Sequence, residues 1–223
     1  MLVVHHLNNS RSQRVLWLLE ELGLTYEIKH YQRDPRTMLA PPQLRAVHPL
    51  GKSPIITDEG RTIAESGAIL EYLVSAYGQG RLIPPADSDA RLRFTYFMHY
   101  AEGSLMPLLL LKLVFSRLSR PPMPALLRPL ARVIESGTNR RFIDPQLALH
   151  MGFLESELGR FEYFAADEFS AADIQMSFPL EAAQKRGALG AAHRRLQRCL
   201  EVIRARPAYQ RAIEKGGPYS LLD

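Results

Sequence analysis

Residues 52–69 read KSPIITDEGRTIAESGAI, and this stretch decides the fold. Pro54 heads an apolar, β-branched run. Proline has no amide to give a sheet ladder, so it belongs at a strand's first residue or at an edge. Glu59-Gly60 separates two short runs, PIITD and RTIAE, which predicts a hairpin. Glu65 and Ser66 then stand where a helix begins, a position that favours carboxylates and hydroxyl caps. The spacing of Ile69, Leu70, Leu73 and Tyr77 puts them on one side of that helix. The whole stretch reads as a binding surface made of backbone groups.

Working outward, LVVHHL (2–7) is a short strand, and SRSQRVLWLLEELG (10–23) changes to helical periodicity that ends at Gly23. TYEIKHY (25–31) is a second strand. A loop-rich, partly helical connection follows, broken by Pro41, Pro42 and Pro49. The order β-α-β-α-β-β-α describes a small mixed sheet covered by helices, over residues 1–80. GQGRLIPPADSDA (78–90) reads as a linker. Beyond it an all-helical domain is expected over 88–223, with helices near 88–118, 138–159, 170–186 and 193–216 and a Pro-rich patch between the first two. FSAADI (169–174) is a capping box. Ser170 and Asp173 exchange bonds across the helix start, and Phe169 and Ile174 sit at the hydrophobic-staple positions.

The 223 residues are 46% hydrophobic and 23% charged, an ordinary globular composition that leaves room for one large domain or two modest ones. No apolar stretch reaches the roughly 20 residues of a membrane span. No basic segment with an apolar core opens the chain, so no secretory signal is expected. Cys199 is the single cysteine, which excludes an intrachain disulfide and a Cys-x-x-Cys centre and fits a reducing, cytoplasmic setting. Charges balance over residues 1–80, and the whole +5 excess lies in the second part. Arg117, Arg120, Arg128, Arg132, Arg140 and Arg141 read as a solvated helical face; neither a nucleic-acid nor a membrane partner is expected. No metal, nucleotide or serine-hydrolase motif is present. His5 and His6 are strand neighbours that face opposite ways, so they cannot form a close metal pair; one of them facing the site would still tune it.

Four passages in this order, NNSRSQRVLWLLEELGL, HPLGKSP, ESGAILEYL and FSAADI, together span most of the chain. With the β-α-β-α-β-β-α module and the helical second domain, the chain resembles the cytosolic glutathione transferases, in particular their fungal and bacterial Gtt-type branch. The resemblance implies a thioredoxin-like first domain, a cis peptide between Ser53 and Pro54, and a two-fold homodimer. It implies glutathione as co-substrate, with no metal. The Ser53 backbone would pair with the cysteinyl backbone of glutathione, Glu65 and Ser66 would hold its γ-glutamyl end, and Lys52 would meet its glycyl carboxylate. The simpler alternative is that Ser66 caps a helix and Pro54 starts a strand.

A free thiol is mostly protonated at neutral pH, so the chemistry needs a donor near the sulfur. No tyrosine ends the first strand. Ser10, four residues before Arg14, fits the family's serine pattern; Ser12 is the second candidate, Asn9 is a possible helper, and Ser10 as a mere helix cap is the alternative. In FTYFMHYAEGSLMPLLLLKL (94–113), Tyr96, Tyr100 and Ser104 share a stripe that lines either an electrophile pocket or a packing face, and Gly103 with Pro107 predicts a kink. The expected activity is conjugation of the glutathione thiolate to small apolar electrophiles, with a glutathione-dependent peroxidase activity also open. A non-catalytic glutathione-binding scaffold of the same fold is the alternative reading.

Overall fold

The computed structural model describes residues 1–217 and Tyr219. Strand β1 (Val3–Leu7), helix α1 (Ser12–Leu22), β2 (Glu27–Tyr31), α2 (Pro42–Val47), β3 (Ile55–Asp58), β4 (Arg61–Ala64) and α3 (Ser66–Tyr77) follow in the expected order. The strands form one sheet in the order β2-β1-β3-β4. β1 runs parallel to β2 and antiparallel to β3, and β3 pairs antiparallel with β4. Glu59 and Gly60 close the hairpin at positive φ, 47° and 80°. A two-residue turn that matches the strand twist needs this backbone, and glycine adopts it without strain. Asp58 accepts from the hydroxyls of Tyr72 and Tyr77, which pins α3 to the sheet. This is the thioredoxin-like α/β part, and an all-helical part follows it.

There, α4 (Asp89–Tyr100) runs through a π-helical turn (Ala101–Leu105) into α5 (Met106–Arg117). α6 (Arg128–Thr138) runs through a second π turn (Asn139–Ile143) into α7 (Asp144–Arg160). α8 (Ala171–Lys185), α9 (Arg194–Ala205) and α10 (Pro207–Gly216) complete it. The capping box of α8 is formed: Asp173 accepts from the Ser170 amide at 2.8 Å and also from the Phe164 amide at 2.9 Å. No helix among the described residues is long and apolar enough to cross a membrane.

Three boundaries differ from the sequence expectation. The kink near Gly103 is a widened turn in which the Met106 amide bonds back five residues to Ala101. Pro107 has no amide for the carbonyl four residues earlier, and Pro145 repeats the situation after the second π turn. The Pro-rich patch is partly helical, because Pro129 sits in the first turn of α6, where its missing amide costs nothing. The last expected helix is two: Arg206 is extended (φ −66°, ψ 130°), the backbone preferred before a proline.

Helix α1 joins the two parts. Val15, Leu16, Trp17, Leu18 and Leu19 are all buried, and a helix apolar on every side must be covered on every side. It packs on β1 and α3 within the first part and on α8 and α10 of the second. The Trp17 ring meets Tyr209 of α10 edge-on, with centroids 5.2 Å apart.

Arg14, also on α1, is only 2% exposed. Pro179 lies inside α8, and its missing amide leaves the Gln175 carbonyl, four residues earlier, without a helical partner. Arg14 Nη1 donates to that carbonyl at 2.7 Å. Its Nη2 donates to Ser66 Oγ at 2.9 Å and to Glu102 Oε1 at 2.6 Å. Glu102, on the first π turn, also accepts from Arg11 Nε at 2.9 and 3.0 Å. Burial works against the Glu102 carboxylate, but Arg14 and Arg11 outweigh it and hold its pKa below the usual range.

Removing this carboxylate strands a buried guanidinium. Glu102→Ala should therefore destabilise the protein by about 3 kcal/mol, read as a lower urea midpoint. A carboxylate with a depressed folded pKa stabilises above its unfolded pKa and stops doing so as pH falls through the folded value. The stability gap between wild type and Glu102→Gln should thus narrow as pH falls below the usual carboxylate range; a gap independent of pH would mean that the ion pair contributes nothing.

Candidate functional site

A cleft of about 630 Å³ lies where the two parts meet. Its floor is the turn that enters β3. The Ser53–Pro54 peptide is cis, and Pro54 precedes β3, so the strand loses no ladder bond to the proline. The Ser53 N–H and C=O take part in no backbone hydrogen bond among the described residues. They are free to pair with an extended peptide in the manner of an added strand.

One end of the cleft is built at the start of α3. Glu65 is exposed and has φ 73°, a backbone region that a non-glycine residue adopts only at a cost and that clusters at ligand sites. Ser66 is buried, and its Oγ accepts from Arg14. The Ser66 hydroxyl hydrogen is therefore left to donate into the cleft, beside the partial positive charge of the helix start. Glu102 lines the same end. The other end carries Lys52 and Arg45, both exposed and without an ion pair among the described residues. One end of the cleft thus offers the Glu65 carboxylate and the amides of α3, with Glu102 neutralised by Arg14 and Arg11, and the other end is cationic; Arg11 and Arg33 also line it.

Ser10 and Ser12 lie behind this floor, 4% and 0% exposed, and neither lines the cleft itself. Ser10 reaches it through Ser53: Ser10 Oγ donates to Ser53 Oγ at 3.2 Å. Ser10 Oγ also accepts from the Ser12 amide at 3.2 Å. The Ser12 hydroxyl sits between Ser10 Oγ, at 2.7 Å, and His6 Nδ1, at 2.9 Å. Asn9 precedes them at positive φ, 49°. The strand histidines do face opposite ways: His5 bonds Tyr31 and Thr57, while His6 turns toward α1.

The expected stripe on the first long helix does not reach the cleft. Tyr100 is buried against Tyr96 and Phe153, with its hydroxyl on His150 Nδ1, and Ser104 is exposed elsewhere. The π turn parts Ser104, which lies within it, from Tyr96 and Tyr100, which precede it and stay stacked together. One inserted residue rotates every later side chain by about 100° around the axis, and Glu102 and Leu110 line the cleft instead. With Leu39 and Leu50 from the first part, Leu110 gives the cleft its exposed apolar surface. Glu102 was not singled out in the sequence, although a carboxylate just before Gly103 and Pro107 in an apolar helix was a usable signal. Among the described residues, no group of three or more histidine, cysteine or acidic side chains is placed to hold a metal ion.

Comparison with known proteins agrees with this geometry. The family described as "Glutathione S-transferase, N-terminal domain" matches residues 10–76. The chain is 41% identical over 218 residues to glutathione S-transferase 3 of Schizosaccharomyces pombe, covering 96% of this chain and 88% of that one. It is 32% identical over 220 residues to glutathione S-transferase 1 of Saccharomyces cerevisiae, covering 95% and 94%. Among solved structures, a glutathione S-transferase from Actinobacillus pleuropneumoniae superposes with a TM-score of 0.80 at 31% identity, covering 97% of this chain and 93% of that one. With a relative 41% identical along nearly its full length and the fold and cleft described above, the chain belongs to the glutathione S-transferase family.

Proposed function

We propose that this protein conjugates the thiolate of glutathione to small apolar electrophiles. The observation that carries this reading is the polarity of the cleft. Glutathione has an ammonium and a carboxylate at its γ-glutamyl end and a carboxylate at its glycyl end. Glu65 accepts from the ammonium, and Ser66 with the α3 amides receives the neighbouring carboxylate. Lys52, helped by Arg45, meets the glycyl carboxylate, and the Ser53 backbone pairs with the cysteinyl residue between. The sulfur then lies beside the Ser53–Ser10 pair.

The Ser10 hydroxyl donates to the sulfur and favours the thiolate; each unit by which the thiol pKa falls corresponds to about 1.4 kcal/mol. Ser12 is the weaker candidate, because its hydroxyl is already engaged by Ser10 and His6 and is fully buried. Holding both reactants in one cleft supplies the rest of the acceleration. The electrophile rests on Leu39, Leu50 and Leu110, surfaces that favour apolar compounds. In this reading Tyr100 belongs to packing, and Ser104 is exposed away from the substrate.

The protein acts as a homodimer, with the single cysteine consistent with a cytoplasmic setting. Leu92, Tyr96, Leu149 and Phe153 are exposed on α4 and α7, and Tyr96 and Phe153 adjoin, with ring centroids 6.2 Å apart. This apolar face suits a second copy. Paired Leu92→Asp and Leu149→Asp changes should convert the dimer to a monomer in sedimentation.

Ser10→Ala should lower turnover at least tenfold while leaving glutathione affinity by calorimetry within about twofold. An unshifted thiol pKa in bound glutathione, with normal affinity, would instead favour a non-catalytic binding protein. No heat on adding millimolar glutathione would defeat both readings.

A further inference from the structure

The hydroxyls behind the cleft form one unbroken chain that ends on a buried imidazole. Ser53 Oγ donates to the His5 carbonyl at 3.2 Å, and Ser10 Oγ donates to Ser53 Oγ at 3.2 Å. Ser10 and Ser12 hydroxyl oxygens are 2.7 Å apart, and Ser12 Oγ is 2.9 Å from His6 Nδ1. Each hydroxyl carries one hydrogen. That of Ser53 is used on His5 and that of Ser10 on Ser53. The Ser10–Ser12 contact admits either donor; with the Ser10 hydrogen on Ser53, it comes from Ser12, and the hydrogen in the Ser12–His6 contact then comes from the ring. The other acceptor within reach of Ser12, the Leu7 carbonyl, is 3.5 Å away, too far to compete with a contact of 2.7 Å.

We infer that His6 carries its proton on Nδ1 and is the positioning residue that, through Ser12, aims the Ser10 hydroxyl outward at the substrate sulfur. This rests on the glutathione site proposed above. Ser10 Oγ receives the Ser12 amide and the Ser12 hydroxyl together, so its own hydrogen cannot turn inward. A hydroxyl that accepts two bonds is also a better donor for its third.

The ring works as a fixed donor and not as a base. Burial foremost, then the neighbouring His30, push the His6 pKa down to about 4 against the opposing Gly216 carbonyl, so it is neutral in the working range and does not take the thiol proton. His30 of β2 stands edge-on to it at 5.6 Å. From α10 the Gly216 backbone comes close: a Cβ there would lie 2.6 Å from Gln13 Oε1 and 3.3 Å from His6 Cε1. The Gly216 carbonyl competes for the ring proton. A proton on Nε2 would satisfy it, turn Ser12 toward His6 and draw the Ser10 hydrogen inward.

Nitrogen-15 NMR of the unliganded full chain distinguishes the two tautomers without any substrate. The expected result is His6 protonated on Nδ1; protonation on Nε2 overturns the inference. Activity adds an independent readout. His6→Asn keeps an N–H near the Nδ1 position, and His6→Leu removes it. In His6→Leu the pKa of glutathione's thiol in the complex should rise by about one unit and kcat/KM at neutral pH should fall about tenfold, with the loss recovered at high pH. His6→Asn should stay within about twofold of wild type on both measures. Equal losses in the two variants would show a merely structural role and reject the assignment. If His6→Leu fails to fold, the tautomer decides. If wild type does not bind glutathione, the proposed function fails while the tautomer result still stands.

Discussion

A buried guanidinium organises this protein. Arg14 sits on the most deeply covered helix and reaches three groups from three directions: a carbonyl of α8, a hydroxyl at the start of α3, and a carboxylate on the first π turn. Placing a cation there is costly unless its partners are preset. Each is preset by a local irregularity. Pro179 frees the carbonyl, the positive φ of Glu65 places Ser66 at the head of α3, and the π turn swings Glu102 inward. An ideal helix in place of any one of them would leave Arg14 short of a partner. The irregularities that shape the cleft are therefore the same ones that hold the two parts together.

That arrangement links binding to folding. Ser66 can donate to a ligand because Arg14 has already claimed its lone pair, and Ser10 can donate because the groups behind it supply its oxygen. In both cases the hydroxyl is polarised from the protein side, so in the function proposed above the site would have little reorganisation left to do. In the function proposed above, the exposed Glu65 at one end of the cleft and the unpaired Lys52 and Arg45 at the other would give the tripeptide a single orientation.

Much of this was legible in the sequence wherever the signal was local. The hairpin at Glu59-Gly60, the strand opening on Pro54, the capping box at Ser170 and Asp173, and the opposed directions of His5 and His6 all follow from spacings of a few residues. Lys52, Ser53, Glu65 and Ser66 line one cleft, with Ser10 one layer deeper. What could not be read is non-local or register-dependent. The Tyr96, Tyr100 and Ser104 stripe assumed an unbroken helical period; Tyr96 and Tyr100 stack as that period requires, and the π turn after Tyr100 separates Ser104 from them. The partner of Arg14 on α8 is a carbonyl freed by a proline far along the chain, which no local pattern reports. His6 could be given a direction from its strand, but not a neighbour.

The covering of α1 by α10 has a consequence for biosynthesis. The apolar back of the first-made helix is sealed by one of the last-made, so on the ribosome it stays open to water until most of the chain has emerged, on the order of ten seconds or more at ordinary elongation rates. The nascent β-bearing half therefore cannot complete its own core. Until α10 arrives, that side of α1 stays uncovered, unlike a small self-contained redox domain that closes as soon as it is released.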